Sequence, residues 1–257
     1  MDLAVTDLRV LVTGGSAGIG LATAALLADE GARVAIASRH PEQAAAAIGV
    51  TAIAADLSTA AGCDRAIEGA VATLGGLDVL VNNVGIARIG RFADTDDDQW
   101  QTAWETNVMS YVRCIRAALP QLEASAAASI VNVASTSGKR PSAGMPEYSV
   151  TKAAVLSLSR LVADVHAGDG IRCNAVCPGP TLSPAWLDPG GLADQTSGDS
   201  DRSRDEVLRA VGAGRPIGRM AEPEEIASVI AFLCSPRSSY VTGAAWSADG
   251  GTVPVII

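Results

Sequence analysis

Short runs of apolar, largely β-branched residues alternate with longer helix-patterned stretches along almost the whole chain, and few folds accept that rhythm. Arg9–Thr13, Arg33–Ala37, Thr51–Ala55, Asp78–Asn82, Ser129–Ala134, Ile171–Val176 and Ala244–Ser247 read as strands. Between them Gly18–Asp29, a stretch from Pro41, Thr59–Leu74, a long stretch around Gln99–Leu119, Tyr148–His166 and Pro223–Cys234 read as helices. Strands that alternate with helices build a parallel sheet, because each crossover must return over a sheet face and does so right-handedly. The prediction is an α/β fold, a doubly wound parallel sheet in three layers, α/β/α. Nothing along the 257 residues reads as a linker, repeat or low-complexity block, so a single domain over 1–257 is expected.

One connection breaks the rhythm. Pro178 to Arg215 holds Pro189-Gly190-Gly191 and a polar run, Asp194–Asp205. Long irregular connections in compact domains tend to be lids or binding loops. This one follows the C-terminal end of a strand, where such sheets bind ligands. A substrate lid over residues 180–215 is therefore expected.

Charge and cysteines narrow the partners. Lys and Arg number 19 and Asp and Glu 28, a formal net charge of −9. No basic surplus exists to neutralise phosphate polymers, so neither nucleic acid nor an anionic membrane is an expected partner. Cys63, Cys114, Cys173, Cys177 and Cys234 are odd in number. They suit neither a disulfide framework nor, with His40 and His166, the spacing of a metal finger. Small buried hydrophobes in a reducing cytoplasm are expected, with no metal. Met1-Asp2-Leu3-Ala4-Val5 has no basic or apolar leader segment, so no signal peptide is expected. No run approaches the ~18 apolar residues of a membrane span.

The first strand runs into Thr13-Gly14-Gly15-Ser16-Ala17-Gly18-Ile19-Gly20. Glycines at 14, 18 and 20 allow a tight turn and a close ligand approach, and the helix that follows offers free N–H groups to a pyrophosphate. That placement marks a dinucleotide loop, with Ser16 and Ile19 among its contacts. The NAD form of such a site carries an acid roughly 20 residues on, for the ribose 2′-hydroxyl. Here the second strand ends in Ser38-Arg39-His40. A carboxylate repels a 2′-phosphate, whereas Arg39 pairs with it, so NADP(H) is preferred and NAD(H) is the lesser option.

Tyr148-Ser149-Val150-Thr151-Lys152 opens a helix, and residues four apart share a helix face. An ammonium beside a phenol favours phenolate and draws the Tyr148 pKa from about 10 toward neutrality, which makes an acid–base catalyst.

Gly14-x-x-x-Gly18-x-Gly20, Asn82-Asn83-Val84-Gly85, Asn107, Ser135, Tyr148-x-x-x-Lys152 and Pro178-Gly179 occur in order and at compatible spacing. Together with Arg219 to Ala227 and Asp249-Gly250-Gly251, they make the whole chain resemble the short-chain dehydrogenase/reductase family, in its compact single-domain branch. The resemblance implies a Rossmann-type sheet and a hydride transfer between nicotinamide and a carbonyl or secondary alcohol. It implies that Tyr148 is the general acid/base, that Lys152 lowers its pKa and binds the nicotinamide ribose, and that Ser135 polarises the carbonyl. It implies that Asn107 holds a water that links Lys152 to solvent. Asp56-Leu57 should flank the adenine, Asn83 and Gly85 the riboses, and Pro178, Gly179 and Thr181 the nicotinamide.

Three positions depart from the family pattern. Val84 replaces a frequent Ala. Ala17 replaces the basic residue that many NADP-preferring members carry, which leaves that preference to Arg39. Ser183 stands where Thr is frequent. By family position Arg140, Met145, Trp186 and Leu187 are the pocket-lining candidates, and no clustered cation is expected there. The helix after Tyr148 is apolar on more than one face, so it should pack on the sheet and on a second subunit. The family's habit makes a homotetramer the expectation, with a dimer as the fallback. The leading function is an NADP(H)-dependent carbonyl reductase or alcohol dehydrogenase. The rivals are 3-oxoacyl-(acyl-carrier-protein) reduction, a non-catalytic NADP-binding sensor, and a sugar-nucleotide dehydratase or epimerase, for which the chain is too short.

Overall fold

Both faces of the strands are apolar, and that places the sheet in the middle of the molecule. A computed structural model describes residues 2–198 and 200–254. Its strands are β1 (Arg9–Thr13), β2 (Arg33–Ser38), β3 (Thr51–Ala54), β4 (Val79–Asn82), β5 (Ser129–Val133), β6 (Arg172–Pro178) and β7 (Ala245–Ala248). They form one sheet in the order β3-β2-β1-β4-β5-β6-β7, and every pair is parallel.

The helices are α1 (Gly18–Asp29), α2 (Glu42–Ile48), α3 (Ala60–Leu74), α4 (Asp97–Trp104), α5 (Ser110–Glu123), α6 (Thr136–Lys139), α7 (Pro146–His166), α8 (Pro184–Leu187), α9 (Leu192–Gly198), α10 (Arg204–Ala213) and α11 (Pro223–Cys234). Side chains alternate across a strand with period two. Val10, Val12, Val34, Ile36, Val79, Val81 and Val131 pack on the α1 and α11 side. Leu11, Ala35, Ala37, Leu80 and Ile130 pack on the α3 and α5 side. This is the doubly wound three-layer α/β fold that the alternation predicts.

Two elements differ from the sequence reading. The long helix expected around Gln99–Leu119 is interrupted by a π turn, Glu105–Met109, between α4 and α5. The connection expected to be irregular is largely helical, as α8, α9 and α10. Ser203 and Glu206 form a reciprocal capping box that starts α10, which satisfies N–H groups a helix start otherwise leaves free. α7 begins two residues before Tyr148, with Pro146 in its first turn, where a missing N–H costs nothing.

Polar side chains fix the strands that carry the site. Asn82 Nδ2 donates to Asn132 Oδ1 at 2.9 Å, and Asn132 Nδ2 donates to Ser159 Oγ at 2.9 Å. These buried bonds tie β4, β5 and α7 together. At the other end of the sheet, Asp78 accepts from Arg9 Nε at 2.8 Å, from the Arg9 backbone N–H at 2.8 Å and from Ser125 Oγ at 2.6 Å. Burial pushes the Asp78 carboxyl up, but hydrogen bonds from Arg9 and Ser125 outweigh it and hold the pKa down at about 2.

A carboxylate with a depressed pKa stabilises the fold above its ordinary pKa, and that stability is lost as pH falls toward the folded value. The drop from 3.8 to about 2 corresponds to about 2 kcal/mol. Asp78→Asn is expected to lower unfolding stability by about that much at pH 7. In urea titrations the gap between variant and wild type should close as pH falls from 4 to 2.

Candidate active site

The strand order reverses between β1 and β4, because the chain winds outward to β3 and then returns beside β1. Open α/β sheets bind ligands at the carboxyl ends of strands at such a point. A cavity of about 740 Å³ lies there. Its walls include Gly14, Gly18 and Ile19 from the first turn, Asn83 and Gly85 after β4, and Ser135, Tyr148 and Lys152. Pro178, Gly179 and Thr181 come from the end of β6 and the turn after it, Arg140 and Met145 from the connection between α6 and α7, and Trp186 from α8.

The glycine turn is shaped by backbone angles that side chains resist. Gly14 has φ +63° and Gly18 has φ +53°. A Cβ on Gly20 would lie 2.4 Å from Asn83 Nδ2 and 2.4 Å from Gly14 O. Asn83 Nδ2 donates to Gly14 O at 3.0 Å, and the Asn83 N–H donates to Thr13 Oγ1 at 3.1 Å. Asn83 thus locks the turn from the end of the adjacent strand β4. α1 starts at Gly18 with Ala17 before it, and Ala17 provides no side-chain cap. The first N–H groups of α1 are left to a ligand.

The opposite wall carries the proton chemistry. Ser135 is buried and caps α6, its Oγ accepting from the Ser137 N–H at 3.1 Å. That bond fixes the rotamer and leaves the hydroxyl hydrogen to donate. Burial raises the Tyr148 pKa, while the hydrogen bond with Ser135 pulls it the other way. The Lys152 ammonium lies 5.7 Å from the centre of the Tyr148 ring and 5.4 Å from that of Tyr111. Lys152 Nζ donates to Val133 O at 2.8 Å, and Tyr111 Oη donates to the same oxygen at 3.0 Å. Burial brings the Lys152 pKa down to about 7. This differs from the expectation that a full ammonium lowers the phenol: desolvation disfavours the charged form of both groups, so Tyr148 rises and Lys152 falls.

Asn107 stands behind this wall, inside the π turn. Its Oδ1 accepts from the Ile86 N–H at 2.8 Å, and its Nδ2 donates to Ile86 O at 3.0 Å and to Thr151 Oγ1 at 3.1 Å. A Cβ on Gly85 would sit 3.3 Å from Lys152 Nζ and 3.4 Å from Asn107 Oδ1, so a side chain there would crowd the lysine's end. Single π turns in α-helices recur at functional sites.

The model of the family described as enoyl-(acyl carrier protein) reductase matches residues 14–253. A 2-(S)-hydroxypropyl-CoM dehydrogenase from Xanthobacter autotrophicus is 37% identical, over 96% of each chain. A 3-oxoacyl-(acyl-carrier-protein) reductase from Staphylococcus aureus is 33% identical, over 94% of this chain and 96% of its own. The crystal structure of L-sorbose reductase from Gluconobacter frateurii, complexed with NADPH and L-sorbose, is 34% identical. It superposes with a TM-score of 0.92 over 100% of both chains. The chain belongs to the short-chain dehydrogenase/reductase family. It is an NAD(P)-dependent oxidoreductase with that family's Rossmann-type sheet.

Not every residue expected at the site of this short-chain dehydrogenase/reductase lines the main cavity. Gly20 and Asn107 support its walls from behind. Ser16, Ser38, Arg39, Asp56 and Leu57 lie outside it. Asp56 feels the Arg39 charge, although hydrogen bonds from Ser58 contribute most to its lowered pKa. Ser38 Oγ is buried with no partner among the described residues, at the end of β2 next to Arg39. Arg39 makes no salt bridge among the described residues, so an orphaned hydroxyl and a guanidinium without an ion pair stand together where the ribose of a dinucleotide would lie. Leu187, expected in the pocket, is exposed and does not line it.

The sequence reading missed Tyr111, Thr151 and Arg215. Tyr111 and Thr151 act through contacts that no local pattern announces. Arg215 lines the same cavity as Arg140.

Proposed function

We propose that the protein is an NADP(H)-dependent oxidoreductase that interconverts a ketone and a secondary alcohol, with Tyr148 as the general acid/base. The convergence of Ser135, Tyr148 and Lys152 on a single cavity wall, facing the glycine turn, carries this reading. The cradle of Gly14, Gly18 and Gly20 would hold the pyrophosphate, with Ile19 and Ser16 beside it. Ser38 and Arg39 would hold the 2′-phosphate, Asp56 and Leu57 the adenine, and Asn83, Gly85, Pro178, Gly179 and Thr181 the nicotinamide half. The nicotinamide, when bound, supplies the hydride.

The chain's own residues supply position and a proton. Ser135 donates to the substrate oxygen and fixes where it sits. Tyr148, whose pKa is raised, rests as a phenol and gives its proton to that oxygen as negative charge develops. Lys152, with a pKa of about 7, gains and loses a proton readily near neutrality and restores the phenol. Asn107 and Gly85 keep the path beside Lys152 open, which suits a water relay. In oxidation the same steps run backward. The α8–α10 segment, residues 180–215, serves as the substrate lid. Likeness to a 3-oxoacyl-(acyl-carrier-protein) reductase makes that activity the second reading.

NADPH and NADH oxidation over a panel of ketones, quinones, steroids and 3-oxoacyl thioesters tests this directly. Tyr148→Phe should cut turnover by about 10²-fold or more with NADPH affinity largely retained. The wild type should favour NADPH, and Arg39→Asp should shift the preference toward NADH by about tenfold or more, the worth of one charged hydrogen bond. Retained turnover refutes the tyrosine's role, and equal use of both cofactors by the wild type refutes Arg39's.

We also propose a homotetramer, with a dimer as the smaller alternative. Val150, Leu161 and Val165 stand exposed along α7, and Trp104 is exposed on the adjoining α4. A second copy of the chain would cover this apolar stripe. Light scattering at micromolar concentration should give four chains, and a monomer contradicts the proposal. The five free cysteines, all buried, favour a reducing, cytoplasmic setting. Among the described residues no helix is long and apolar enough to cross a membrane.

A further inference from the structure

The cavity is positively charged inside a negatively charged protein. Two guanidiniums line it, Arg140 and Arg215, beside the Lys152 amine, and among the described residues no aspartate or glutamate does. The chain as a whole carries a net charge of −9. Lys152 is engaged by Val133 O. Among the described residues the two guanidiniums have no salt bridge, and Arg215 Nε is buried without a hydrogen-bond partner. A charged donor withdrawn from water with nothing to receive it destabilises the fold unless a ligand supplies the acceptor.

The backbone beneath Arg215 is firmly held. Its N–H donates to Gly212 O at 3.0 Å, its carbonyl accepts from the Gly218 N–H at 2.8 Å, and the Ile217 N–H donates to Gly250 O at 3.2 Å. Asp249 in turn caps the loop that supplies Gly250, accepting from the Gly251 N–H at 3.0 Å and the Val253 N–H at 3.0 Å. The Asp249-Gly250-Gly251 stretch therefore props the segment that presents Arg215 to the cavity. Met145, Trp186, Leu192 and Val211 give the remaining substrate-side lining an apolar character.

We propose that the substrate is a ketone, or the matching alcohol, that carries an anionic group (carboxylate, sulfonate or phosphate) bound by Arg140 and Arg215. This rests on the reductase reading above. A planar guanidinium pairs with such oxyanions through two parallel N–H bonds, and two guanidiniums with no competing acid select for charge. The dinucleotide's own phosphates share this chemistry, so the experiment must separate the two sources.

The probes are 4-oxopentanoate, 5-oxohexanoate and 7-oxooctanoate, each against its methyl ester. Two quantities are read: kcat/KM with NADPH, and calorimetric Kd for the NADP⁺-loaded enzyme. In the wild type the best acid should exceed its ester by about tenfold or more in both, and added salt should compress the ratio. In Arg140→Gln and Arg215→Gln the acid-to-ester ratio should fall toward one, with NADPH Kd little changed. No acid preference in the wild type overturns the proposal, as does a preference that survives in the double variant. A weakened NADPH Kd with the acid-to-ester ratio intact also overturns it, and assigns the guanidiniums to the cofactor. Acid-selective binding without reduction of any probe upholds the anion site and fails the reductase reading instead. The salt dependence in the wild type keeps the test decisive if a variant does not fold.

Discussion

Everything at this site depends on one buried amine. Lys152 is almost wholly withdrawn from water, and among the described residues it is held by the Val133 carbonyl, shared with Tyr111, and by a longer bond of 3.5 Å to Tyr111 Oη. The protein interior disfavours an ammonium there, and its pKa falls to about 7. The same desolvation keeps the neighbouring Tyr148 phenol protonated. The Tyr148 phenol therefore holds its proton beside an amine whose pKa is about 7. Tyr111, fully buried and with its own pKa raised well above the usual value by burial, stays a neutral donor and adds no competing charge.

The fold exists, at this end, to hold that amine in place. Lys152 sits on α7, and α7 is pinned to the sheet through Ser159 and the Asn132–Asn82 pair. The π turn between α4 and α5 brings Asn107 to Ile86 and Thr151, so the loop after β4 and the first turns of α7 are fastened to each other. Across the cavity, Asn83 fastens the glycine turn to the same β4 loop. The glycine turn and the wall that carries Lys152 are thus both fastened to the end of β4.

The sheet was legible because β-branched runs and helical spacing leave separate periods in the sequence. The motif residues at the cavity were legible because glycine at 14, 18 and 20 and the Tyr148–Lys152 spacing have direct geometric consequences. The π turn was not, since Glu105–Met109 lies inside a continuous helical pattern and no residue there marks the wider turn. Helix α10 was readable in principle from Ser203 and Glu206, but the polar run around them masked the signal. Arg215 was invisible because a pocket is made by the roof closing over the floor, which brings together residues that no short window contains. Burial of Lys152 was likewise invisible. Spacing shows that it shares a face with Tyr148 and says nothing about water, and burial is what raises the Tyr148 pKa where the spacing alone led to a lowered one.

The central claim is that burial, rather than a permanent ammonium, sets the proton chemistry at Lys152. It is tested most directly by NMR titration of the Lys152 side chain, assigned through Lys152→Arg, in the purified protein. The account predicts a midpoint near 7. A midpoint near the ordinary lysine value of 10.5 would contradict it.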